Sequence, residues 1–214
     1  MRVHNNSLYV SVGSSCNVCY EDDERRAAVM KCNIDGSDCK VFASGLRNAV
    51  GFTFAPDGRA YATDNGRDSL GDDLPPDEIN VLQEGKDYGW PICYGKNVHD
   101  ADFDKNVYVR DPCEDKEPSL VDLQAHSAPL GLAFYNGKQF PDEYNGKFFI
   151  AYHGSWNRNA PTGYKIVTVD PAIGETKDFA TGWLRNGSVL GRPVDIVVAD
   201  DGSLFVSDDN SGKM

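Results

Sequence analysis

Along the 214 residues, apolar and polar positions alternate in short runs, and each run is entered through a turn-forming dipeptide. Four such phrases recur: "NNSLYVSVGS" at 5–14, "PDGRAYATDNG" at 56–66, "YNGKFFIAYHGS" at 144–155 and "DDGSLFVSDDNSG" at 200–212. In each, Asn-Ser, Asp-Gly or Asn-Gly reverses the chain, a strand with period two follows, and a small or acidic residue closes it. Helical spacing is scarce. "DDERRAAVMK" at 22–31 has a pattern compatible with a helix, yet the "KCNIDG" that follows fits equally a loop running into a strand. An all-β fold is predicted.

With Tyr9, Tyr61, Phe149 and Phe205 as landmarks, the steps between phrases are 52, 88 and 56 residues. Periods near fifty are those of β-propeller blades, and the long middle step predicts an insertion. The insertion is placed at 93–118, "CYGKNVHDADFDKNVYVRDPCEDKEP", a polar stretch with cysteines at 93 and 113. A disulfide closing a loop of about 20 residues removes denatured-state entropy worth on the order of 3 kcal/mol. The chain reads as one partial propeller domain over 1–214, with about four blades. Propellers close on themselves because open ends leave strand edges unpaired, and four-bladed rings are uncommon. A portion of a larger ring is therefore expected.

Hydrophobic residues make up 40% of the chain, enough for a packed core. The net charge of −12 includes no basic stripe, which argues against nucleic acid or an anionic membrane as partner. No apolar run is long enough to span a bilayer, and "MRVHNNSLYV" lacks the order of a signal peptide. Six cysteines stand at 16, 19, 32, 39, 93 and 113. A zinc reading of "CNVC" lacks the second ligand pair it needs. Cys32 and Cys39 bracket the turn "NIDGSD", so a hairpin-closing disulfide is the simplest reading, and the pairing 16–19, 32–39 and 93–113 implies an oxidising compartment. Asn5 and Asn186 would then stand in glycosylation triplets.

Two constellations carry chemistry. "GRDSLGDDLPPDEIN" places Asp68, Asp72, Asp73, Asp77 and Glu78 within eleven residues, beside glycines that expose main-chain carbonyls. Calcium takes six to eight oxygens, so this stretch fits a calcium site, though not an EF-hand, or alternatively a solvated acidic loop. Arg47-Asn48 precedes "VGFTF" and Arg192 precedes "VDIVV". Arginines at such strand ends hold an anion bidentately near a central channel, or form structural salt bridges to Asp64 or Asp195.

These segments resemble a known family. "GLRNAVGFTF", "DDLPPDEINVLQEGKDYGWP", "HSAPLGLAFY" and "GRPVDIVVADDGSLFVSDD" are similar to the soluble quinoprotein glucose/sorbosone dehydrogenases, six-bladed propellers that use pyrroloquinoline quinone (PQQ) and calcium. "SCNVCYEDDERRAAVMK" and "HGSWNRNAPTGYK" resemble the secreted fungal branch, the PQQ-dependent pyranose dehydrogenases. The resemblance implies that Arg47 and Asn48 touch the quinone and that the carbonyls of Gly66 and Arg67 meet the quinone-bound calcium. The family usually has Gly-Pro there, so the Arg67 side chain is a departure. A second, structural calcium would use Glu78 and the carbonyl of Tyr88. His153 stands where bacterial members place a lysine against the quinone, with Asn157 in the same loop, and Arg192 represents a two-arginine pattern whose second position is Val194. A sugar substrate, a heme or other electron acceptor, and an extracellular location follow from the same resemblance.

In relatives a catalytic histidine lies roughly thirteen residues before the "LYV" strand, where Leu8 has only seven residues ahead of it. His4 lacks the preceding glycine, so no catalytic base is assigned and the chain alone is expected to be inactive. Two other readings stay open: a noncatalytic calcium-binding propeller module, and a calcium-dependent lactonase, which would need carboxylates in the channel as ligands and base.

Overall fold

A computed structural model describes residues 1–210, and almost all of its regular structure is antiparallel β-sheet. The first sheet runs β1 (Arg2–His4), β2 (Ser7–Val12), β3 (Ala28–Asn33) and β4 (Lys40–Ser44) in order. Asn5 and Asn6, at φ 45° and 58°, form the two-residue turn from β1 to β2. The segment 22–31 therefore resolves as a loop entering β3, because Ala28, Val29 and Met30 are all buried as strand residues.

The second sheet starts with β5 (Phe52–Phe54), β6 (Ala60–Asp64) and β7 (Asp77–Leu82). β8 (Lys86–Asp87) then adds to the first sheet in parallel with β4, and the short hairpin of β9 (Cys93–Tyr94) and β10 (Val98–His99) opens the insertion. β11 (Val121–Leu123) returns to complete the second sheet in the order β11-β7-β6-β5. The third sheet is β12 (Pro129–Phe134), β13 (Phe148–Tyr152), β14 (Lys165–Val169) and β15 (Thr176–Ala180). A small hairpin, β16 (Leu184–Arg185) with β17 (Ser188–Val189), precedes a two-stranded sheet of β18 (Pro193–Val198) and β19 (Leu204–Asp208).

The four landmark aromatics fall on β2, β6, β13 and β19, the second strand of each sheet. Their alternation decides the packing. In β6, Ala60 and Ala62 face a cluster with Tyr9, Val29, Phe42 and Phe52 of the neighbouring strands, while Tyr61 faces the next cluster. In β13, Phe148, Ile150 and Tyr152 join that second cluster, and Phe149 and Ala151 a third with Tyr135, Ile166 and Ile196. A sheet sandwiched on both faces needs apolar residues at successive positions, which explains the unbroken "FFIAY".

The leading strands lie side by side, β1 next to β5, β5 next to β12 and β12 next to β18. Two glycines permit that approach: a Cβ on Gly51 would collide with the Leu130 carbonyl, and one on Gly131 with the Asp195 main chain. All three disulfides form as the spacing suggested, 16–19, 32–39 and 93–113. Asn5 and Asn186 are both exposed. Among the described residues no helix is long and apolar enough to cross a membrane. Residues 211 and 212 of the fourth phrase lie outside the described residues.

Candidate functional site

One hydrogen bond recurs in three sheets and gathers the chemistry at one end of the molecule. Just past β6, the Asn65 N–H donates to the Asn48 carbonyl; past β13, His153 donates to Ala128; past β19, Asp209 donates to Arg192. Antiparallel pairing thus brings the entry of each leading strand against the exit of the second strand. Arg47-Asn48, His126–Ala128 and Arg192 share that end with Asn65-Gly66, His153 and Asp209.

A cleft of about 270 Å³ opens there, lined by Arg47, Asn48, Gly66, Asp68, His126 and Asn157 among others. Gly13 leaves room for the Asn48 side chain, since a Cβ there would lie 2.8 Å from Asn48 Oδ1. The Arg47 guanidinium donates from Nε to the Asn17 carbonyl at 3.0 Å, from Nη1 to the Asn65 and Gly66 carbonyls at 3.1 and 2.9 Å, and from Nη2 to Asn17 Oδ1 at 3.1 Å. Four of its five N–H groups are thereby engaged, and Nη2 lies 3.8 Å from Asp68 Oδ2. A two-pronged grip on an anion is not available to Arg47 in this arrangement. Of the two salt bridges weighed from sequence, Asp64 instead accepts the main-chain N–H groups of Arg47 and Asn48 at 2.9 and 2.6 Å, and Arg192 pairs elsewhere.

Two buried carboxylates hold the cleft in shape. Asp64 fixes the Arg47-Asn48 backbone as described. Asp77 accepts from the Gly66 N–H at 2.9 Å and the Ala128 N–H at 3.1 Å, so a single side chain ties the exit of β6 to the entry of β12. Burial pushes Asp77 up to about 7. Asp64 is held well above the usual carboxylate range, by burial first and then by the charge of Glu78. Asp68 stands at the cleft wall, with Oδ1 accepting from Asn157 Nδ2 at 2.6 Å. His126, buried, faces the Gly71 and Leu74 carbonyls through Nε2 at 2.9 and 3.0 Å, which makes that nitrogen the donor and leaves Nδ1 toward Asn157 at 3.4 Å. The buried Oδ1 atoms of Asn65 and Asn157 have no hydrogen-bond partner.

Beside the cleft lies a small, partly open pocket of about 20 Å³, room for one water or ion, lined by Asp64, Arg67, Glu78, Tyr88 and Asp100 among others. Glu78 accepts from the Gly95 N–H at 2.6 Å and from Asn80 at 2.9 Å, and burial raises its pKa. The Tyr88 hydroxyl is tied to the Val81 carbonyl. The Arg67 side chain turns away from the cleft into a buried ion pair, with Nε 2.5 Å and Nη2 3.0 Å from Asp100, and Nη2 3.2 Å from Asp102. The residue that departs from the family pattern thus bolts the insertion to the loop beneath the cleft.

His153 and Arg192 form a separate cluster. His153 Nε2 pairs with Asp209 at 3.0 Å and Nδ1 lies 3.3 Å from Arg192 Nη1, while Arg192 Nη2 reaches the Tyr164 hydroxyl at 3.3 Å. Neither lines the cleft. Asn157 does. His4 is remote from it, stacked on Phe54 at 3.9 Å. Sequence reasoning passed over Asp64 and Asp77 as organising groups, although each stands at an end of a strand beside "DNG" or "EIN". It also passed over His126, which stands three residues before β12.

Comparison with known proteins bears on the fold and the family. A protein of Borreliella burgdorferi, named only as uncharacterized, is 43% identical over 98% of this chain and 56% of its own. The pyrroloquinoline quinone-dependent pyranose dehydrogenase of Coprinopsis cinerea is 27% identical over 82% of this chain and 31% of its own. The chain therefore spans about half, and about a third, of these two relatives. The solved holo form of the PQQ domain of the Coprinopsis enzyme superposes with a TM-score of 0.78 at 22% identity, covering 97% of this chain and 66% of that one. A calcium structure of the Trichoderma reesei carbohydrate-active enzyme of family AA12 gives 0.79 at 22%, covering 97% and 64%. These superpositions establish the all-β fold of the PQQ-dependent dehydrogenases. The model of the TrAA12-like family matches residues 1–214, and the chain belongs to that family.

Proposed function

We propose that this chain is part of a PQQ- and calcium-dependent sugar dehydrogenase, acting on pyranoses or related aldoses. One observation carries the reading: the adjacent Arg47 and Asn48, which the resemblance sets against the quinone, line one cleft with Gly66 from the exit of the next strand and with Asp68 and Asn157. Membership of a family whose named relatives include PQQ-dependent pyranose dehydrogenase supports it.

The donor set fits an anionic quinone only together with a cation. Arg47 brings one positive charge to the cleft, whereas Asp68 and Asp77 bring carboxylates, so a polyanion alone would meet repulsion. A hard cation is matched by the oxygens present: the Gly66 carbonyl, which has a second lone pair beyond the bond from Arg47, the Asp68 carboxylate, and the unpartnered Asn65 and Asn157 Oδ1 atoms. Arg67 contributes through its carbonyl in this reading, its side chain being committed to Asp100. Asn157 would meet the rim of the cofactor, whereas His153 and Arg192, outside the cleft lining, would reach it only by leaving their cluster with Asp209 and Tyr164. When bound, the quinone supplies the hydride acceptor and calcium the Lewis acid.

The chain's own groups orient and stabilise. Arg47 places its remaining N–H toward Asp68, where it opposes negative charge developing in the cleft. Asp64 and Asp77 keep the Arg47-Asn48 and Gly66 backbones fixed, so the site is pre-organised before ligand arrives. None of His4, His126 and His153 is assigned as proton acceptor: each is stacked, buried on carbonyls, or paired with Asp209. The small cavity between Asp64 and Glu78 would hold the structural calcium with Glu78 and the Tyr88 carbonyl, relieving the repulsion between two buried carboxylates. A heme or another electron acceptor would be the redox partner, and the three disulfides support an extracellular location.

The test is to add PQQ and calcium to the purified chain and follow quinone absorbance with and without pyranoses. Saturable, calcium-dependent binding is expected. Calcium binding without quinone binding would favour the noncatalytic module, and lactone hydrolysis without quinone the lactonase.

A further inference from the structure

Trp156 stands in the lining of the cleft with 77% of its surface exposed. Exposing an indole forgoes hydrophobic stabilisation, and this one stands in a polar cleft rather than on open surface. Nor is it a loose ring on a loose loop. Its neighbour Ser155 donates its N–H to the Thr162 carbonyl at 2.9 Å and accepts from the Thr162 N–H at 3.0 Å, and the Tyr164 hydroxyl bonds the Ser155 carbonyl. On the other side Asn157 is held by Asp68 at 2.6 Å, Arg158 by Asp73 at 3.1 Å and by the Asp72 carbonyl, and Asn159 by Asp72. Both flanks are fastened while the ring itself makes no aromatic contact with the described residues.

We infer that Trp156 is the stacking platform for the pyranose ring of the substrate, a specificity residue at the mouth of the cleft; this rests on the function proposed above. The division of the cleft supports it. Its floor is charged and amide-lined, suited to an anion and a cation, whereas its rim offers one broad apolar face. A pyranose presents a patch of axial C–H bonds that packs on an aromatic face, and its hydroxyls stay free to meet polar groups. An open-chain polyol has no such patch. Discrimination between ring and chain forms, and between pyranoses with flat or interrupted C–H faces, follows from that contact.

Saturation-transfer NMR on the full chain, with PQQ and calcium present, tests it using D-glucose, D-xylose and sorbitol as probes. Expected are saturable signals strongest on the axial protons of one face of the two pyranoses, with none from sorbitol. Trp156→Ala should weaken pyranose binding on the order of tenfold, the size that aromatic packing supplies, and Trp156→Phe should retain most of it. Neither change should alter the thermal midpoint, since the ring is exposed, and pyranose binding is compared at saturating PQQ, so that quinone affinity is read separately from absorbance. Unchanged pyranose binding in Trp156→Ala, or equal signals from sorbitol, would overturn the inference while leaving quinone binding intact. Wild-type chain that binds no pyranose overturns it too. Failure of wild type to bind PQQ sinks the function proposed above instead, and a pyranose signal that still needs Trp156 would uphold the platform on its own.

Discussion

Replacing Asp100 by Asn should loosen both the fold and the cleft through Arg67. The pair is almost sealed from water, with side-chain exposures of 7% for Arg67 and 3% for Asp100. With charge centres about 4 Å apart, opposite charges attract by about 4 kcal/mol at the effective dielectric of such sites. Removing one partner leaves the other charge buried, which costs roughly 3–5 kcal/mol. Asp102, 3.2 Å away but 65% exposed, recovers part of that for Arg67. Asp100→Asn should therefore cost about 3 kcal/mol. Arg67→Met should cost about the same, because Asp100 keeps only the N–H groups of Asp102 and Phe103. The double substitution should cost less than the sum by about 2 kcal/mol, since neither charge is then stranded. Urea unfolding followed by circular dichroism measures all three. Because Arg67 lies between Gly66 and Asp68, cation affinity at the cleft should fall with Asp100→Asn as well. Single costs below about 1 kcal/mol, or strict additivity, would refute the view that this pair anchors the insertion.

The remaining predictions concern the other buried groups. Substituting both Cys93 and Cys113 by Ser should cost about 3 kcal/mol, read as a lower urea midpoint, because the bond closes a separation of 20 residues. Asp77, raised to about 7 by burial, binds its proton more tightly folded than unfolded. Its contribution is thus fully present below pH 4 and lost as pH rises through 7, by up to about 4 kcal/mol. In EDTA the wild type should lose stability over that window, and Asp77→Asn should flatten the slope. Asp64→Asn removes one of the two repelling carboxylates at the small cavity while keeping their shape. Calcium should raise the thermal midpoint of the wild type, and that rise should shrink in the variant.

Much of this architecture can be read from the chain because its packing is periodic. The "FFIAY" and "AYATD" runs declare strands buried on both faces, and the turns before them set the spacing of the sheets. The three cysteine pairs follow from local turns and from an insertion that needs closing. The cleft is legible only in part. Arg47, Asn48, Gly66 and Asn157 meet in it, but Arg47 is nearly saturated by carbonyls, which depends on how Asn17 and Asn65 fold over it. His153 and Arg192 sit at the same end of their strands, yet Asp209 and Tyr164 draw them into a cluster of their own. Asp64 and Asp77 look like members of an acidic stretch, and only burial separates them from the half-buried Asp72 and the exposed Asp73. Side-chain choices among several nearby partners are tertiary decisions that no local pattern encodes.

The most direct measurement is equilibrium titration of PQQ into the metal-free chain and the calcium-loaded chain, followed by quinone absorbance. The account predicts saturable binding with calcium, binding weaker by tenfold or more in EDTA, and a comparable loss for Arg47→Ala in calcium. Equal affinity with and without the ion, or no binding in either state, would contradict it.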